Sequence, residues 1–512
     1  MAENTPAQDI AAGYATEGEA LELGTVLVDG QVDPTAKVRI PFATLNRHGL
    51  VAGATGTGKT KTLQGLAEQL SNAGVPVLLA DVKGDLSGLS RPGEDGPKIQ
   101  SRAKDTGDDW VPTGFPVEFL SLGGTSSAVP IRATLTQFGP ILLSKVLDLN
   151  DTQESTLGLI FHWADKQALP LLDTKDLRAV IQHLTSDEGK ADLKGIGGVS
   201  PATAGVILRA LVNLEAQGGE DFFGEPEFEP ADLIQVVEGK GRITLVELAE
   251  QAANPKLFST FLMWLLAELY EALPEAGDLD KPKLVFFFDE AHLLFNDASK
   301  AFLDRIEQTV KLIRSKGVGV FFCTQLPTDV PNAVLSQLGA RIQHALRAFT
   351  PEDQKALAKT VKTYPTSTVY DLDEALTSLG TGEAIVTVLS ERGAPTPVAW
   401  SRMRAPRSLM AAIGEQAVVE AAKASPLYGK YGQTIDRESA YEKLTAKMAE
   451  SVPPPPAEAP REEAPRPQRQ EREEPGVVTQ ILKSPAAKSF MRSMATQLGR
   501  EISRGLFGTR RR

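Results

Sequence analysis

The chain contains short continuous runs of apolar residues between residues 49 and 389. Each run ends in glycine or polar residues. Runs of this kind are typical of strands buried on both faces of a parallel sheet. They occur at 49–52, 75–81, 116–122, 241–246, 283–288, 317–325, 339–347 and 380–389. Two earlier runs, 24–28 and 37–40, predict an N-terminal β segment, residues 1–45, packed on the core.

Apolar residues recur with helical spacing between these runs. The helical patterns lie at 62–70, 135–149, 155–168, 177–184, 202–215, 255–273, 301–316 and 351–360. Alternation of strands and helices predicts an α/β fold. Four helical patterns lie between residues 86 and 240, so this stretch is predicted to be a mainly helical insertion between two parts of the core, 46–85 and 241–440.

The last part of the chain has a different composition. Residues 441–476 form a predicted linker that is rich in Pro, Glu and Arg and cannot bury enough apolar surface to order itself. Residues 477–512 carry eight Lys or Arg and one Glu, a local charge of +7. Large apolar residues recur there at every fourth position, and this spacing predicts an amphipathic helix. The stripe consists of Phe490, Met494, Leu498, Ile502 and Leu506.

A basic amphipathic helix on a linker has several potential partners. It can bind a membrane surface, a nucleic-acid backbone or an acidic neighbouring subunit, or it can dock on its own acidic body. The sequence alone does not choose between them.

Composition narrows the class of protein. The 512 residues are 42% hydrophobic and carry a net charge of -12, so the whole molecule lacks the basic surface of a protein that coats nucleic acid. The single cysteine, Cys323, excludes an intrachain disulfide and suits a buried core position. No run of about eighteen apolar residues occurs, and the N-terminus has no signal-peptide pattern, which predicts a cytoplasmic protein.

The strongest chemical motif is a glycine-rich loop that follows the first predicted core strand. It fits the pattern G-x-x-x-x-G-K-[ST], in which backbone N–H groups surround a polyphosphate. Lys59 then reaches the β and γ phosphates, and the Thr60 hydroxyl binds Mg²⁺. The residues predicted to hold ATP are Gly53, Ala54, Thr55, Gly56, Thr57, Gly58, Lys59, Thr60 and Lys61.

Carboxylates and a glutamine end three other predicted strands. Asp289 and Glu290 follow the run 283–288, a pattern typical of P-loop ATPases in which the aspartate binds Mg²⁺ and the glutamate orients the attacking water. Gln325 ends the next strand and is placed to sense the γ phosphate or to hold the attacking water. Asp81 and Asp85 end the run 75–81, where they belong either to the ligand-binding edge or to a solvated turn.

Longer segments resemble one bacterial family. Arg47–Thr60 resembles the YjgR family, within the HerA and FtsK superfamily of P-loop ATPases. Further segments that carry the resemblance are 81–85, 222–226, 286–295, 313–319, 339–349 and 436–442.

The resemblance implies a RecA-like core with additional strands, a hexameric ring with ATP at subunit interfaces, and double-stranded DNA as the substrate. It also implies that Arg314 completes a neighbour's site as an arginine finger, and that Arg341 contacts phosphate or couples the nucleotide state to the ring. The β-barrel that precedes the core in HerA has no room within about 45 residues here, on typical barrel dimensions. We therefore expect no nuclease partner bound through such a barrel.

Two functions remain open at this point. The leading hypothesis is a Mg²⁺-dependent ATPase that moves double-stranded DNA as a ring. The alternative is an ATPase that acts on protein or at a membrane surface, with the basic tail as its anchor. A nucleotide-binding switch without turnover is disfavoured, because Glu290 and Gln325 would then have no task.

Overall fold

The computed structural model describes residues 5–81, 84–123, 128–193, 197–247, 255–277, 279–296 and 298–450. The predicted basic tail and most of the predicted linker lie outside the described residues. The strands are β1 (Ala20–Val28), β2 (Gln31–Pro41), β3 (Gly49–Ala52), β4 (Val77–Asp81), β5 (Val117–Leu122), β6 (Val129–Ile131), β7 (Val236–Val237), β8 (Lys240–Gly241), β9 (Ile243–Glu247), β10 (Leu284–Phe288), β11 (Val318–Thr324), β12 (Ala340–Gln343), β13 (Glu383–Val388) and β14 (Ala399–Met403).

Helices connect most of these strands. They are α1 (Pro6–Ala12), α2 (Lys59–Asn72), α3 (Pro97–Thr106), α4 (Leu135–Val146), α5 (Asp151–Lys166), α6 (Thr174–Thr185), α7 (Gly189–Asp192), α8 (Pro201–Ala216), α9 (Pro255–Ala272), α10 (His292–Phe295), α11 (Lys300–Ile313), α12 (Asn332–Leu335), α13 (Pro351–Val361), α14 (Leu372–Ser378), α15 (Glu415–Ala424), α16 (Pro426–Tyr431) and α17 (Ala440–Glu450). In the described part of the chain, no helix is both long and apolar enough to span a bilayer.

Twelve of the described strands form one sheet, in the order β2-β1-β14-β13-β12-β3-β11-β10-β4-β9-β5-β6. The eight strands from β12 to β6 run parallel, and the four strands at the other edge pair antiparallel. Parallel strands carry their functional side chains at the carboxyl ends. The carboxyl ends of β3, β11, β10, β4 and β9 therefore lie side by side at the same end of the parallel strands.

Both faces of the sheet are covered, which explains the continuous apolar runs. Within β3, Leu50 packs into one core together with α9, α11 and the helices of the segment 135–216. The next residue, Val51, packs into a second core on the opposite face, with α1 and α2. Successive side chains of a strand point to opposite faces, so a strand between two helical layers is apolar at every position.

One strand separates the strand of the glycine-rich loop from the strand that precedes Asp289. Strand β11 pairs in parallel with β3 on one side and with β10 on the other. This order confirms the predicted α/β, RecA-like core with an additional strand.

Three elements differ from the expectation based on the sequence. Helix α1 replaces part of the predicted N-terminal β segment, and only Ala7 and Ile10 of its seven residues are buried, so its apolar pattern is weak. Strand β6 lies inside the segment predicted to be mainly helical, and together with β5, which occupies the predicted run 116–122, it extends the core sheet. Helix α17 occupies the start of the predicted linker, because Asp176 accepts a hydrogen bond from the Tyr441 N–H at 2.8 Å and holds the chain against α6.

Candidate active site

The glycine-rich loop begins at the carboxyl end of β3, and both neighbouring strands hold its first residues. The Gly53 N–H donates to the Thr324 carbonyl at 3.2 Å, and the Ala54 N–H donates to the Ala345 carbonyl at 2.9 Å. The loop ends where Gly58 caps the N-terminus of α2. The loop is thus attached to β11 and to the segment after β12 before its backbone turns into the helix.

Three glycines adopt a backbone conformation that other residues rarely adopt. The φ angles are 150° at Gly53, 81° at Gly56 and 115° at Gly58. A Cβ atom on Gly53 would also lie 2.6 Å from the Cβ of His344. Glycine is therefore required by the local geometry, and the loop can bring its N–H groups close to an anion.

The two lysines of the loop region point in different directions. The Lys59 ammonium donates to the carbonyl of Gly53 and, at 3.3 Å, to that of Ala54, so it lies over the loop. The Lys61 side chain instead donates to the Met410 carbonyl at 3.0 Å, which leaves its backbone N–H as its contribution to the loop. Thr60 is half-buried in the first turn of α2.

Asp289 and Glu290 directly follow β10, as the sequence predicts. The Glu290 N–H donates to Asp289 Oδ1 at 2.9 Å. Glu290 has a φ angle of 48°, a conformation that costs a non-glycine residue about 1–2 kcal/mol and that is concentrated at functional sites. Its Oε2 atom is buried without a hydrogen-bond partner, and His292 Nδ1 lies 3.4 Å away. A buried acceptor of this kind suits a water molecule as its partner.

Cys323 and Gln325 lie at the carboxyl end of β11, one inside the strand and one directly after it. Gln325 is exposed and is the first residue after the strand, next to the Thr324 carbonyl that holds the loop. Cys323 is fully buried, and burial raises the pKa of its thiol. It therefore packs as a small core residue and is not a nucleophile.

The two arginines assigned by resemblance lie away from the loop of their own chain. Arg314 is exposed in the turn that precedes β11, at the opposite end of the strand from Gln325. The seven residues of β11 place it about 20 Å from the loop edge, at about 3.3 Å per residue. The Arg341 guanidinium donates to the Thr363 carbonyl at 2.9 Å.

Asp81 is buried and does not belong to a solvated turn. Its carboxylate accepts hydrogen bonds from the N–H groups of Gly84 and Leu86, at 2.8 and 2.9 Å. It pairs in register with Glu247, the last residue of β9. Glu247 was not identified from the sequence, because a single acid after an apolar run resembles any strand end.

Burial and the neighbouring Asp81 carboxylate raise the pKa of Glu247 to about 7. The folded protein therefore holds this proton between the ordinary glutamate pKa, about 4.5, and about 7, and the free energy of unfolding falls as the pH rises through this window. We expect Glu247→Gln to stabilise the protein by about 2 kcal/mol at pH 8 and to have little effect at pH 5. Urea denaturation at both pH values measures this difference. The exposed Glu374→Gln is the control, and an equal effect of Glu247→Gln at both pH values would contradict the assignment.

His344 is a second residue whose role emerged only from the structure. Its Nδ1–H donates to the Glu383 carbonyl at 2.8 Å, so its Nε2 accepts the hydroxyl proton of Thr62 at 3.0 Å. Burial lowers its pKa to about 4, and the ring is neutral at physiological pH. His344 thus packs against Gly53 of the loop and bonds Thr62 of α2 without adding a charge to the site.

The donors match the chemistry of a nucleotide and a magnesium ion. Backbone N–H groups and Lys59 suit phosphate, while Thr60 and Asp289 are the oxygen ligands that Mg²⁺ takes in combination with phosphate oxygens. Among the described residues, no cluster of three or more His, Cys, Asp or Glu could hold a metal ion by itself.

Fold and site together define a P-loop ATPase with a RecA-like core. Its phosphate loop follows β3, its Asp-Glu pair follows β10, and β11 with a terminal glutamine lies between them. The chain belongs to the family described as helicase HerA-like C-terminal, whose model matches residues 27–512. The match confirms the HerA and FtsK superfamily indicated by the motifs.

Two curated relatives are described as DNA double-strand break repair helicase HerA. The protein of Sulfurisphaera tokodaii is 24% identical over 371 residues, and that of Sulfolobus acidocaldarius is 22% identical over 387. Each alignment covers 71% of this chain and 66% of the relative. The chain thus spans slightly less than two thirds of the length of these relatives.

Solved structures share the fold at low sequence identity. The bacterial conjugative coupling protein TrwBdeltaN70 in its unbound monoclinic form has a TM-score of 0.52 and 16% identity, over 79% of this chain and 94% of that chain. The plasmid coupling protein TrwB in complex with the non-hydrolysable GTP analogue GDPNP has a TM-score of 0.50 and 16% identity, over 78% of this chain and 98% of that chain.

Proposed function

We propose that this protein is a Mg²⁺-dependent ATPase that forms a hexameric ring and moves double-stranded DNA. The observation that carries the proposal is the division of the site along β11. Gln325 directly follows this strand beside the phosphate loop, and Arg314 lies in the turn before the strand, about 20 Å away. An arginine at that distance can act only on the nucleotide of another subunit. The relatives described as DNA repair helicases favour DNA as the substrate.

Binding of the nucleotide would use the loop and the first turn of α2. The loop N–H groups and the helix N-terminus face the phosphates, and Lys59 exchanges its contacts with the Gly53 and Ala54 carbonyls for phosphate oxygens. Thr60 and Asp289 would hold Mg²⁺, which supplies charge neutralisation at the phosphates. The plasmid coupling protein TrwB, which shares the fold, is described in complex with the GTP analogue GDPNP, and this supports nucleotide binding by the present chain.

Hydrolysis would use Glu290 and Gln325 from the same chain. The Glu290 carboxylate has a buried oxygen without a partner, which accepts a proton from the attacking water and orients it. Gln325 holds the same water or senses the γ phosphate. Arg314 of the neighbouring subunit neutralises charge that develops on the γ phosphate, and Arg341 couples that interface to the rest of the ring.

Removal of the trans arginine tests this division directly. We expect Arg314→Ala to lower kcat for ATP by about 10³-fold while nucleotide binding persists, because arginine fingers act on the transition state. Mixing Arg314→Ala with Lys59→Ala subunits one to one should restore activity, since about a quarter of the interfaces then combine an intact Lys59 with an intact Arg314. Absence of activity in rings shown to contain both variants would contradict the trans assignment.

The alternative function is an ATPase that acts on protein or at a membrane surface. The charge distribution favours it: residues 477–512 carry +7, which leaves -19 on the rest of the chain. An acidic body repels a DNA backbone unless basic residues line the path of the DNA, whereas a basic tail is attracted to anionic lipid.

Steady-state ATP hydrolysis separates the two functions. The rate of purified protein is measured with double-stranded DNA, single-stranded DNA or anionic liposomes, with Glu290→Gln as the blank. A DNA motor predicts stimulation by duplex that declines steeply with salt, because phosphate contacts release counterions. Stimulation by liposomes alone, lost when residues 477–512 are deleted, would establish the alternative and overturn the DNA proposal.

A further inference from the structure

A turn outside the phosphate loop fixes one of the peptide groups of the loop. The Gly382 N–H donates to the Thr57 carbonyl at 3.0 Å. In a trans peptide the C=O and the following N–H point in opposite directions, so this bond directs the Gly58 N–H away from the turn. Gly58 caps the N-terminus of α2, where N–H groups have no partner within the helix and are available to an anion.

An arginine from a distant part of the chain contacts this turn, whose Gly382 carbonyl also accepts a hydrogen bond from the Met403 N–H at 2.9 Å. Arg102, in α3, donates through Nη1 to the Gly382 carbonyl at 2.9 Å and through Nη2 to the Thr381 carbonyl at 3.2 Å. Nη1 also lies 3.4 Å from the Met403 carbonyl in β14. The planar fork of a guanidinium can bond two adjacent carbonyls at once, which fixes their orientation as a single ammonium cannot.

Guanidinium, turn and loop are in close contact. A Cβ atom on Gly382 would lie 3.1 Å from Arg102 Nη2, and a Cβ atom on Gly58 would lie 3.1 Å from the Gly382 backbone nitrogen. Both glycines have positive φ angles, 75° and 115°. No side chain lies between the Arg102 guanidinium and Gly382, or between Gly382 and Gly58. A shift of the guanidinium therefore moves the turn and, through it, the loop.

We infer that Arg102 is a positioning residue of the nucleotide site, acting through the Thr381–Gly382 turn on the Thr57–Gly58 peptide. The inference rests on the proposed nucleotide binding and adds a residue from outside every motif of the site. Loss of Arg102 removes the bonds to the Thr381 and Gly382 carbonyls and leaves the Met403 N–H as a partner of the turn. The turn is then less rigid, so the Gly58 N–H is misdirected in part of the molecules. Substrate and transition state lose this contact equally, so KM rises and kcat changes little.

The test compares two arginines, Arg102 and Arg404, that each form hydrogen bonds between the segment 97–110 and the segment 381–404. Arg102→Met removes the bonds to the turn. Arg404→Met is the matched control, because Arg404 lies in the segment just after β14 and pairs with Asp108 and Glu22 but not with the turn. Binding of fluorescent ATP and ADP analogues is titrated in the full chain at temperatures where circular dichroism shows each variant to be folded, and KM and kcat for ATP are measured beside it.

We expect Arg102→Met to weaken both analogues about tenfold and to raise KM by a similar factor, since one hydrogen bond to a charged group is affected. Arg404→Met should bind as the wild type does. Arg102→Lys, which keeps the charge and one donor, should recover part of the loss and serves if the methionine variant does not fold. Unchanged affinity in Arg102→Met, or equal losses in both methionine variants, would overturn the inference. A wild type that binds neither analogue would instead overturn the proposed function.

Discussion

Lys59→Ala should abolish measurable nucleotide binding and, with it, ATP hydrolysis. The Lys59 ammonium contacts two carbonyls of the loop, those of Gly53 and Ala54. Removing one partner of a desolvated, hydrogen-bonded charge pair costs about 3–5 kcal/mol, which is a loss of affinity of about 10²–10⁴-fold. Isothermal titration with ATP and with ADP measures the loss.

The control for Lys59→Ala is a lysine of equal charge that lies far from the loop. Lys355 is exposed on α13, and Lys355→Ala should bind ATP with wild-type affinity. Retention of wild-type affinity by Lys59→Ala would mean that the loop does not bind the nucleotide as described.

Glu290→Gln should bind ATP with near-normal affinity and lose hydrolysis by about 10²–10⁴-fold, the usual contribution of a positioned general base. The exchange keeps the shape of the side chain and removes the proton acceptor. It acts on an oxygen, Oε2, that is buried without a hydrogen-bond partner in the described structure. Single-turnover hydrolysis and ATP titration separate the two effects.

Two observations would distinguish a role in chemistry from a role in folding. Glu352→Gln, an exposed exchange on α13, should leave the rate unchanged. Added ATP should still protect the Glu290→Gln variant against thermal unfolding, because the variant still binds ATP in its folded state. Equal turnover in Glu290→Gln and the wild type would remove Glu290 from the mechanism.

The parts of the site that the sequence predicts are those built from contiguous residues. The glycine-rich loop and the Asp289-Glu290 pair each combine a buried strand with the polar residues directly after it. The apolar run and the polar end are therefore adjacent in the chain and visible as one pattern. The order of β3, β11 and β10 follows from the class of ATPase that those motifs define.

Contacts between distant segments explain what the sequence does not predict. Arg102 and Gly382 are separated by 280 residues, and neither belongs to a motif. His344 and Glu247 acquire their properties from burial and from neighbours on adjacent strands. Helix α17 packs against α6, which comes from a distant part of the chain. Each of these features requires the tertiary structure to be known first.

The most direct test of the proposed motor is the ATP-dependent displacement of a third strand from a DNA triplex. A protein that moves along duplex strips the bound third strand without separating the duplex. We predict that wild-type protein with ATP and Mg²⁺ releases the third strand, and that Glu290→Gln and Arg314→Ala release none above background. Rapid ATP hydrolysis in the presence of the triplex, with the third strand retained, would contradict movement along double-stranded DNA.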